Sequence, residues 1–297
     1  MKYLYILILF ITLSTCKNDK PEVNNINNEN IEKVNKVTKD TFQSKDLNPE
    51  FIDKSITIEL KQKRLIEKTD ESKELDELIV VKNYFVEKED YTINFKYPLL
   101  NESFNIKNKN FNDFINQYYI NITKTESDIL ENKLLCDSIL SKTFREERFI
   151  DYKIYNVNDQ LVSVLFYKEN FYSGSIHPSY SFDCFNFDLN RGVFMNYEDF
   201  FNKESEEELV DIINENITKK INEGEIYYNC WQISSDDFFS SKNNFVLNDT
   251  YVEFYFDDCI ICPSYTGTYS LKIPLTELLS VLKKYNLNTL FFNSGIN

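Results

Sequence analysis

Short runs of this chain alternate apolar and polar residues, while longer stretches space their apolar residues three and four apart. In YTINFKYPLL, Tyr91, Ile93, Phe95 and Tyr97 alternate with Thr92, Asn94 and Lys96, the period of a half-buried strand. Pro98 has no amide hydrogen for a ladder and is expected to close that strand or to sit at a sheet edge. Phe111, Phe114, Ile115, Tyr118, Tyr119 and Ile122 share one face of an expected amphipathic helix, and a second helix is expected over 129–140. Ile150, Tyr152 and Ile154, then Val162, Val164 and Phe166, predict two strands joined by a polar turn at 156–160. A strand over 180–189 ends in NRG, where Gly192 suits a positive φ. Leu209, Ile212, Ile213, Ile217 and Ile221 form another helical stripe, with Glu204 and Glu206 to Glu208 at its N-terminal end, where the helix dipole favours anions. Val252, Phe254 and Phe256 mark one further strand, and Tyr269, Leu271 and Ile273 another. A short helix over 276–284, N-capped by Thr276, is expected to close the fold.

Runs of strands broken by single helices predict an α+β fold, a largely antiparallel sheet with packed helices. Two closely associated α+β subdomains are expected, 79–170 and 171–290, because no Pro/Gly/Ser linker separates them. Regular structure is expected to begin near Asn83. Residues 16–78 read as a spacer that is disordered and partly helical: 17–50 are Asn-, Lys- and Glu-rich, with too little apolar surface to offset chain entropy. Within 51–78, SITIEL alternates like a strand, while KQKRLIEKTDESKELDEL is charged and compatible with a helix.

The chain opens MKYLYILILFITLSTCKNDK, with an apolar run over 3–13 that is shorter than the roughly 20 residues needed to span a bilayer. Residues 1–15 therefore read as a signal peptide. LSTC resembles the lipobox of bacterial lipoproteins, and that resemblance implies lipidation of Cys16, export, and a membrane tether through the N-terminal lipid. Lys17 after the cysteine favours the outer membrane in a two-membrane bacterium. The formal net charge of −15 repels nucleic acid and attracts cationic ligands, so nucleic-acid partners are not expected. Five glycines among 297 residues form no G-x-G-x-x-G or Walker-type loop, which excludes the nucleotide folds built on them, and no cofactor is expected. The 25 Phe and 20 Tyr suffice for a substantial core.

Candidate chemistry is sparse. His177 is the one histidine, near Ser173, Ser175, Asp183 and Asp188, but no G-x-S-x-G or comparable spacing surrounds it. It is a weak catalytic candidate and reads first as a turn residue beside Pro178. An exported chain retains disulfides. Cys136 is expected as the unpaired, buried thiol, and Cys184, Cys230, Cys259 and Cys262 allow three pairings. Cys259-x-x-Cys262 lacks the second close ligand pair of a structural zinc site, so no metal is expected. Tyr227, Tyr228 and Trp231 on a polar loop are candidate ligand contacts, together with Tyr172 and His177; covering the sheet is the plainer role for the loop rings. The pairs Asp236/Asp237 and Asp257/Asp258 read as solvated acids.

Two longer stretches carry a family likeness. YSGSIHPSYSFDCFNFDLNRG resembles the opening, and NFVLNDTYVEFYFDDCIICPSYTGTYSLKIPLTEL the ending, of an extracytoplasmic domain of unknown function shared by the RsiV anti-sigma factor and the PdaC peptidoglycan deacetylase. The matching positions are Tyr172, Gly174, His177, Phe187, Asp188, Gly192, Phe245, Phe256, Pro263, Gly267, Ile273 and Pro274. YTINFKYPLL and the Asn-rich helix after it look like the companion domain that precedes it, so the likeness covers about 83–285. It implies a binding role. In the deacetylase, catalysis sits in a separate metal-dependent domain whose His/Asp motifs have no counterpart here, and in the anti-sigma factor the domain binds lysozyme. A lipid-anchored envelope protein that captures lysozyme or a peptidoglycan fragment is the leading expectation. A cell-wall or carbohydrate hydrolase using His177, or an accessory subunit of an envelope complex, are the alternatives.

Overall fold

The computed structural model describes residues 76–136, 142–157, 160–263 and 266–283. The expected signal peptide, Cys16 and the expected spacer up to residue 75 lie outside these described residues.

Strands β1 (Ile79–Glu87) and β2 (Tyr91–Leu100) form an antiparallel hairpin, and β1 begins four residues ahead of Asn83, near which regular structure was expected. Pro98 interrupts nothing: β2 runs on to Leu100, and β3 (Glu146–Val157) pairs with β2, in parallel, only over Tyr91 to Phe95. Pro98 thus occupies the part of β2 bordered by β1 alone, where a missing donor is tolerated. Strands β4 (Leu161–Phe171), β5 (Ser179–Asp188) and β6 (Val193–Met195) complete a sheet of six in sequence order. The β4–β5 ladder runs from Leu161 opposite Asp188 to Asn170 opposite Ser179, so one sheet continues across residues 170 and 171. At the β5–β6 turn Gly192 has φ +74°, and a Cβ there would lie 2.7 Å from Cβ of Lys107. Both the backbone angle and the space demand glycine.

Helix α1 (Asn108–Phe114) passes into a π-helical turn (Ile115–Ile120), and helix α2 (Ile122–Leu135) follows. The continuous stripe expected through Ile122 is broken at Asn121, which takes φ 33° and accepts the Lys124 amide as an N-cap. Tyr118, in the π-helical turn ahead of the break, faces outward at 74% exposure. The helix expected over 129–140 therefore starts at Ile122, and 137–140 lie outside the described residues. Phe111, Ile115 and Ile129 from this helical layer bury against Ile93, Phe95, Ile150, Val164 and Phe166 of the sheet.

A second antiparallel sheet, β7 (Phe245–Leu247), β8 (Tyr251–Tyr255) and β9 (Ser270–Pro274), covers the other face at β3 to β5. Tyr155, Leu165, Tyr167, Phe182 and Cys184 pack there against Val246, Tyr255 and Tyr269. The outer face of the small sheet, with Phe245, Leu247, Val252, Phe254 and Ile273, buries Leu209, Ile213 and Ile217 of a long helix. The order is helices, sheet, sheet, helices. Polar side chains stitch the sheets: Asn186 Nδ2 donates to the Phe245 carbonyl (2.9 Å) and the Leu247 amide to Ser163 Oγ (3.0 Å). Asn244 accepts the Cys184 amide (2.8 Å) and donates to the carbonyls of Phe182 and Tyr255.

After β6 come a single turn, α3 (Tyr197–Phe200), and the long helix α4 (Glu206–Asn222), with Glu206 to Glu208 in its first turn as expected. Helix α5 (Ser235–Ser241) was not expected. Asp236 and Asp237, read as solvated acids, occupy its first turn, and Asp237 exchanges capping hydrogen bonds with Ser234. The closing helix is reduced to one 3-10 turn, Leu275–Glu277, with Pro274 rather than Thr276 at its N-cap position. Leu282 bridges to Phe201 instead of extending a helix. One disulfide joins Cys230 and Cys262 among the described residues. Cys184 is the buried thiol, because β5 points it between the sheets; Cys136 is only half-buried, and the Cys259 thiol is exposed on a turn.

Candidate functional site

The turn between β4 and β5 holds His177 in the open. Gly174 takes φ +84°, the Ser175 amide closes on the Tyr172 carbonyl (3.0 Å), and Ser173 Oγ accepts the Arg145 amide (3.4 Å). His177 is exposed and makes no hydrogen bond or ion pair with any described residue. The acids expected beside it are engaged elsewhere. Asp183 accepts the Tyr119 hydroxyl (2.8 Å) and pairs with Lys168 (3.3 Å), while Asp188 pairs with Arg191 (2.6 Å). The nucleophile, base and orienting acid of a hydrolase are not gathered around this imidazole.

Tyr172, from the same turn, stands at a better-formed feature. Along β4 the residues on the helix-facing side change from Val162, Val164 and Phe166 to Lys168 and Asn170, and Tyr172 follows just beyond the strand. Where the core ends, a strand can carry polar groups at the same period. The break at Asn121 carries α2 over this polar end. Between them lies a cleft of about 410 Å³ with Phe95, Ile120 and Ile150 among its lining and with Thr125, Asp128, Glu131 and Asn132 on its α2 wall. Cations and aromatic rings alternate along it. The Arg148 guanidinium lies 4.3 Å from the centre of the Tyr172 ring, and the Lys168 ammonium 3.8 Å from that of Tyr119.

Both cations are pinned from behind. Arg148 pairs with the buried Glu146 carboxylate and donates to the carbonyls of Glu147 (3.1 Å) and Phe171 (3.2 Å), and Asn132 donates to the other Glu146 oxygen (3.3 Å). Burial, then the nearby Asp183 carboxylate, pushes the Tyr119 phenol well above its ordinary pKa, so it stays a neutral donor to that carboxylate. With Arg148 locked against one side, Tyr172 is 41% exposed and offers its ring to the cleft. The Asn170 amide and the Glu131 carboxylate line the same cleft and bond no described residue. This arrangement can stack a flat, partly apolar ligand on Tyr172 and hydrogen-bond its rim.

The loop rings expected as contacts lie elsewhere and separate from one another in burial. Tyr227 packs half-buried on the core beneath α4, Tyr228 is 86% exposed and Trp231 43% exposed. The Cys230–Cys262 disulfide and a Trp231 amide bond to the Ile261 carbonyl (3.0 Å) fix this loop to the β8–β9 connection. Another hollow, about 460 Å³, is lined by Asp183, Asp237 and Asp257 with Asn243 and Asn244. The sequence singled out Tyr172 as a candidate contact but not Arg148, Glu146, Lys168, Tyr119 or Asn170, which the structure gathers around it. The available signal was the switch from apolar to polar residues at the end of β4.

Comparison with known proteins places a DUF3298 domain in the chain: residues 198–276 match the family described as "Protein of unknown function (DUF3298)". Over 152 residues the chain is 26% identical to the peptidoglycan-N-acetylmuramic acid deacetylase PdaC of Bacillus subtilis (strain 168), covering 48% of this chain and 30% of PdaC. The chain thus spans less than a third of that relative's length. A crystallised DUF3298 family member from Bacteroides fragilis NCTC 9343 superposes with a TM-score of 0.51 at 16% identity, covering 69% of this chain and 92% of the other. A second, from Pseudomonas aeruginosa PAO1, gives 0.49 at 14% identity, covering 69% and 93%. The first of these likenesses concerns the fold alone.

Proposed function

We propose, for a chain whose residues 198–276 form a DUF3298 domain, a role as an exported, lipid-anchored binding module of the cell envelope whose cleft at Tyr172 takes a peptidoglycan fragment. The observation that carries this is the buttressed ring. Tyr172 is held by Arg148 over a polar cleft that has uncommitted amide and carboxylate groups, and amino sugars present both an apolar ring face and a hydrogen-bonding rim. The relationship to PdaC, whose name states an action on peptidoglycan N-acetylmuramic acid, agrees in ligand class. The exposed, unsupported position of His177 favours capture over hydrolysis.

A test is calorimetric titration of the full chain with soluble disaccharide-peptides released from peptidoglycan. Tyr172→Ala is expected to weaken binding about tenfold, the effect of truncating a well-placed aromatic anchor. His177→Gln is expected to bind like the wild type. No heat from the wild-type chain would remove this ligand.

A cationic protein such as lysozyme is a second reading, favoured by the net charge of −15 and by the hollow lined by Asp183, Asp237 and Asp257. Its signature is steep weakening with salt. Binding that is unchanged from low to high ionic strength would rule out electrostatic capture.

A further inference from the structure

Strand β1 has one neighbour among the described residues: the sheet of six ends there, and only β2 pairs with it. Two bonds at the ends of the hairpin decide which backbone groups are left open. The Asn101 amide donates to the Leu78 carbonyl and the Lys88 amide to the Tyr91 carbonyl, both at 2.8 Å. Such pairs recur at every second residue of an antiparallel ladder, so the even-numbered residues of β1 bond β2. The N–H and C=O groups of Ile79, Val81, Asn83, Phe85 and Glu87 then point away from the sheet. Val81 and Phe85 are also 46% and 63% exposed. Sheet edges are ordinarily blunted by prolines, bulges or several charges. This edge pairs with β2 in unbroken register over nine residues, contains no proline, and has Lys82 as its one lysine.

We infer that β1 is a self-association edge, on which β1 of a second copy lies antiparallel about a two-fold axis at Asn83. The open groups allow only registers that set odd-numbered residues opposite odd-numbered ones, and the axis at Asn83 opposes the whole strand without overhang. Ile79 then faces Glu87 of the second copy, Val81 faces Phe85, and Asn83 faces its own counterpart, each pair exchanging both N–H···O bonds. With the symmetric repeats, the total comes close to the roughly ten hydrogen bonds of an ordinary interface. The exposed Val81 and Phe85 side chains become direct cross-strand neighbours on one face, where Val81 already lies beside Pro98 of β2. On the opposite face Val80 meets Val86, and Lys82 meets the Tyr84 ring as a cation–π pair.

Charge sets the conditions under which the pair forms. The strand carries one Lys and one Glu, so the edge itself adds no net charge. The formal −15 of each whole chain opposes approach until salt screens it. Association should therefore strengthen as salt rises, the reverse of the dependence expected for capture of a cationic protein.

The experiment is sedimentation velocity of the full chain over a concentration series at low and moderate salt, with hydrogen exchange followed on the same samples. The expected result is a reversible doubling of mass with concentration, more pronounced at moderate salt, and slower exchange of the Val81, Asn83 and Phe85 amides in the dimer. Asn83→Pro removes a donor that β2 does not use, so it should keep the unfolding midpoint and weaken association at least about tenfold. Val81→Lys, at an exposed position, should do the same and keeps the test valid if the proline distorts the strand. A monomer at every concentration, or a dimer that both variants leave intact, would overturn the inference. So would edge amides already protected in the monomer, the result if SITIEL at 55–60 of the same chain occupies the edge.

Discussion

Between the two sheets Glu253 is 5% exposed, and its charge is met by donors on both oxygens: the Tyr155 hydroxyl at 2.9 Å and Ser270 Oγ at 2.7 Å. Burial, then the neighbouring Tyr255 and Glu253, pushes Tyr155 far above the ordinary tyrosine pKa, so the phenol remains a donor. Tyr155→Phe removes that donor and leaves a buried carboxylate short of a partner, which should cost about 1–3 kcal/mol in denaturant unfolding with an unchanged m value. A cost near zero would mean that water or Tyr255 substitutes fully. At Asp188, burial alone would raise the carboxyl pKa, but hydrogen bonds from the Arg191 and Asn190 amides and the Arg191 guanidinium outweigh it and hold the group below its ordinary value. Its stabilising contribution is then present above the unfolded-state pKa and is lost as pH falls through the folded-state one. The stability deficit of Asp188→Asn should be widest near neutral pH and close in acid, and a deficit that widens in acid would contradict this. At this scale the sequence exposed only part of the site. Tyr172 stands out as an aromatic beside a Gly turn, whereas nothing in the local pattern separates Arg148 and Glu146 from the other charges around them. Their burial comes from α2 passing overhead, which no local pattern encodes.

Strands were legible wherever one face met the core at period two, as in β2 and β9. In β8 the residues Tyr251, Glu253 and Tyr255 looked like an outward face, yet Glu253 and Tyr255 are buried because the small sheet is covered on both sides. Helix α5 was missed because seven residues span too few turns to show a stripe, although its Ser234/Asp237 capping box could have marked it. The break between α1 and α2 escaped notice for a different reason: the apolar spacing continues straight through it, and the signal is the single Asn121 in a left-handed conformation. Asn121→Ala should cost about 1–2 kcal/mol in thermal or denaturant unfolding, from lost capping and a strained φ, and Asn121→Gly distinctly less. Equal costs would show that the left-handed backbone contributes nothing.

For the whole molecule, the α+β class and the mostly antiparallel sheet followed from the order of elements, whereas the layering did not. An expected division after residue 170 falls within β4, one residue before its end, and would part β4 from β5, with which it pairs along ten residue positions; β5 is also the strand that Asn186 and Asn244 tie to the second sheet. A fragment comprising 171–283 would expose the β4 side of β5 and lose Leu165 and Tyr167 from the inter-sheet core. It should show no cooperative unfolding transition, and a sharp transition would establish it as an independent domain. Above the fold stands the proposed role, for which the cleft under α2 is the deciding feature. The most direct measurement is calorimetry of the wild-type and Tyr172→Ala chains against the same soluble peptidoglycan disaccharide-peptides. Capture in the cleft requires saturable binding by the wild type and about tenfold weaker binding by the variant with its fold intact; equal affinities, or no binding by either chain, would contradict it.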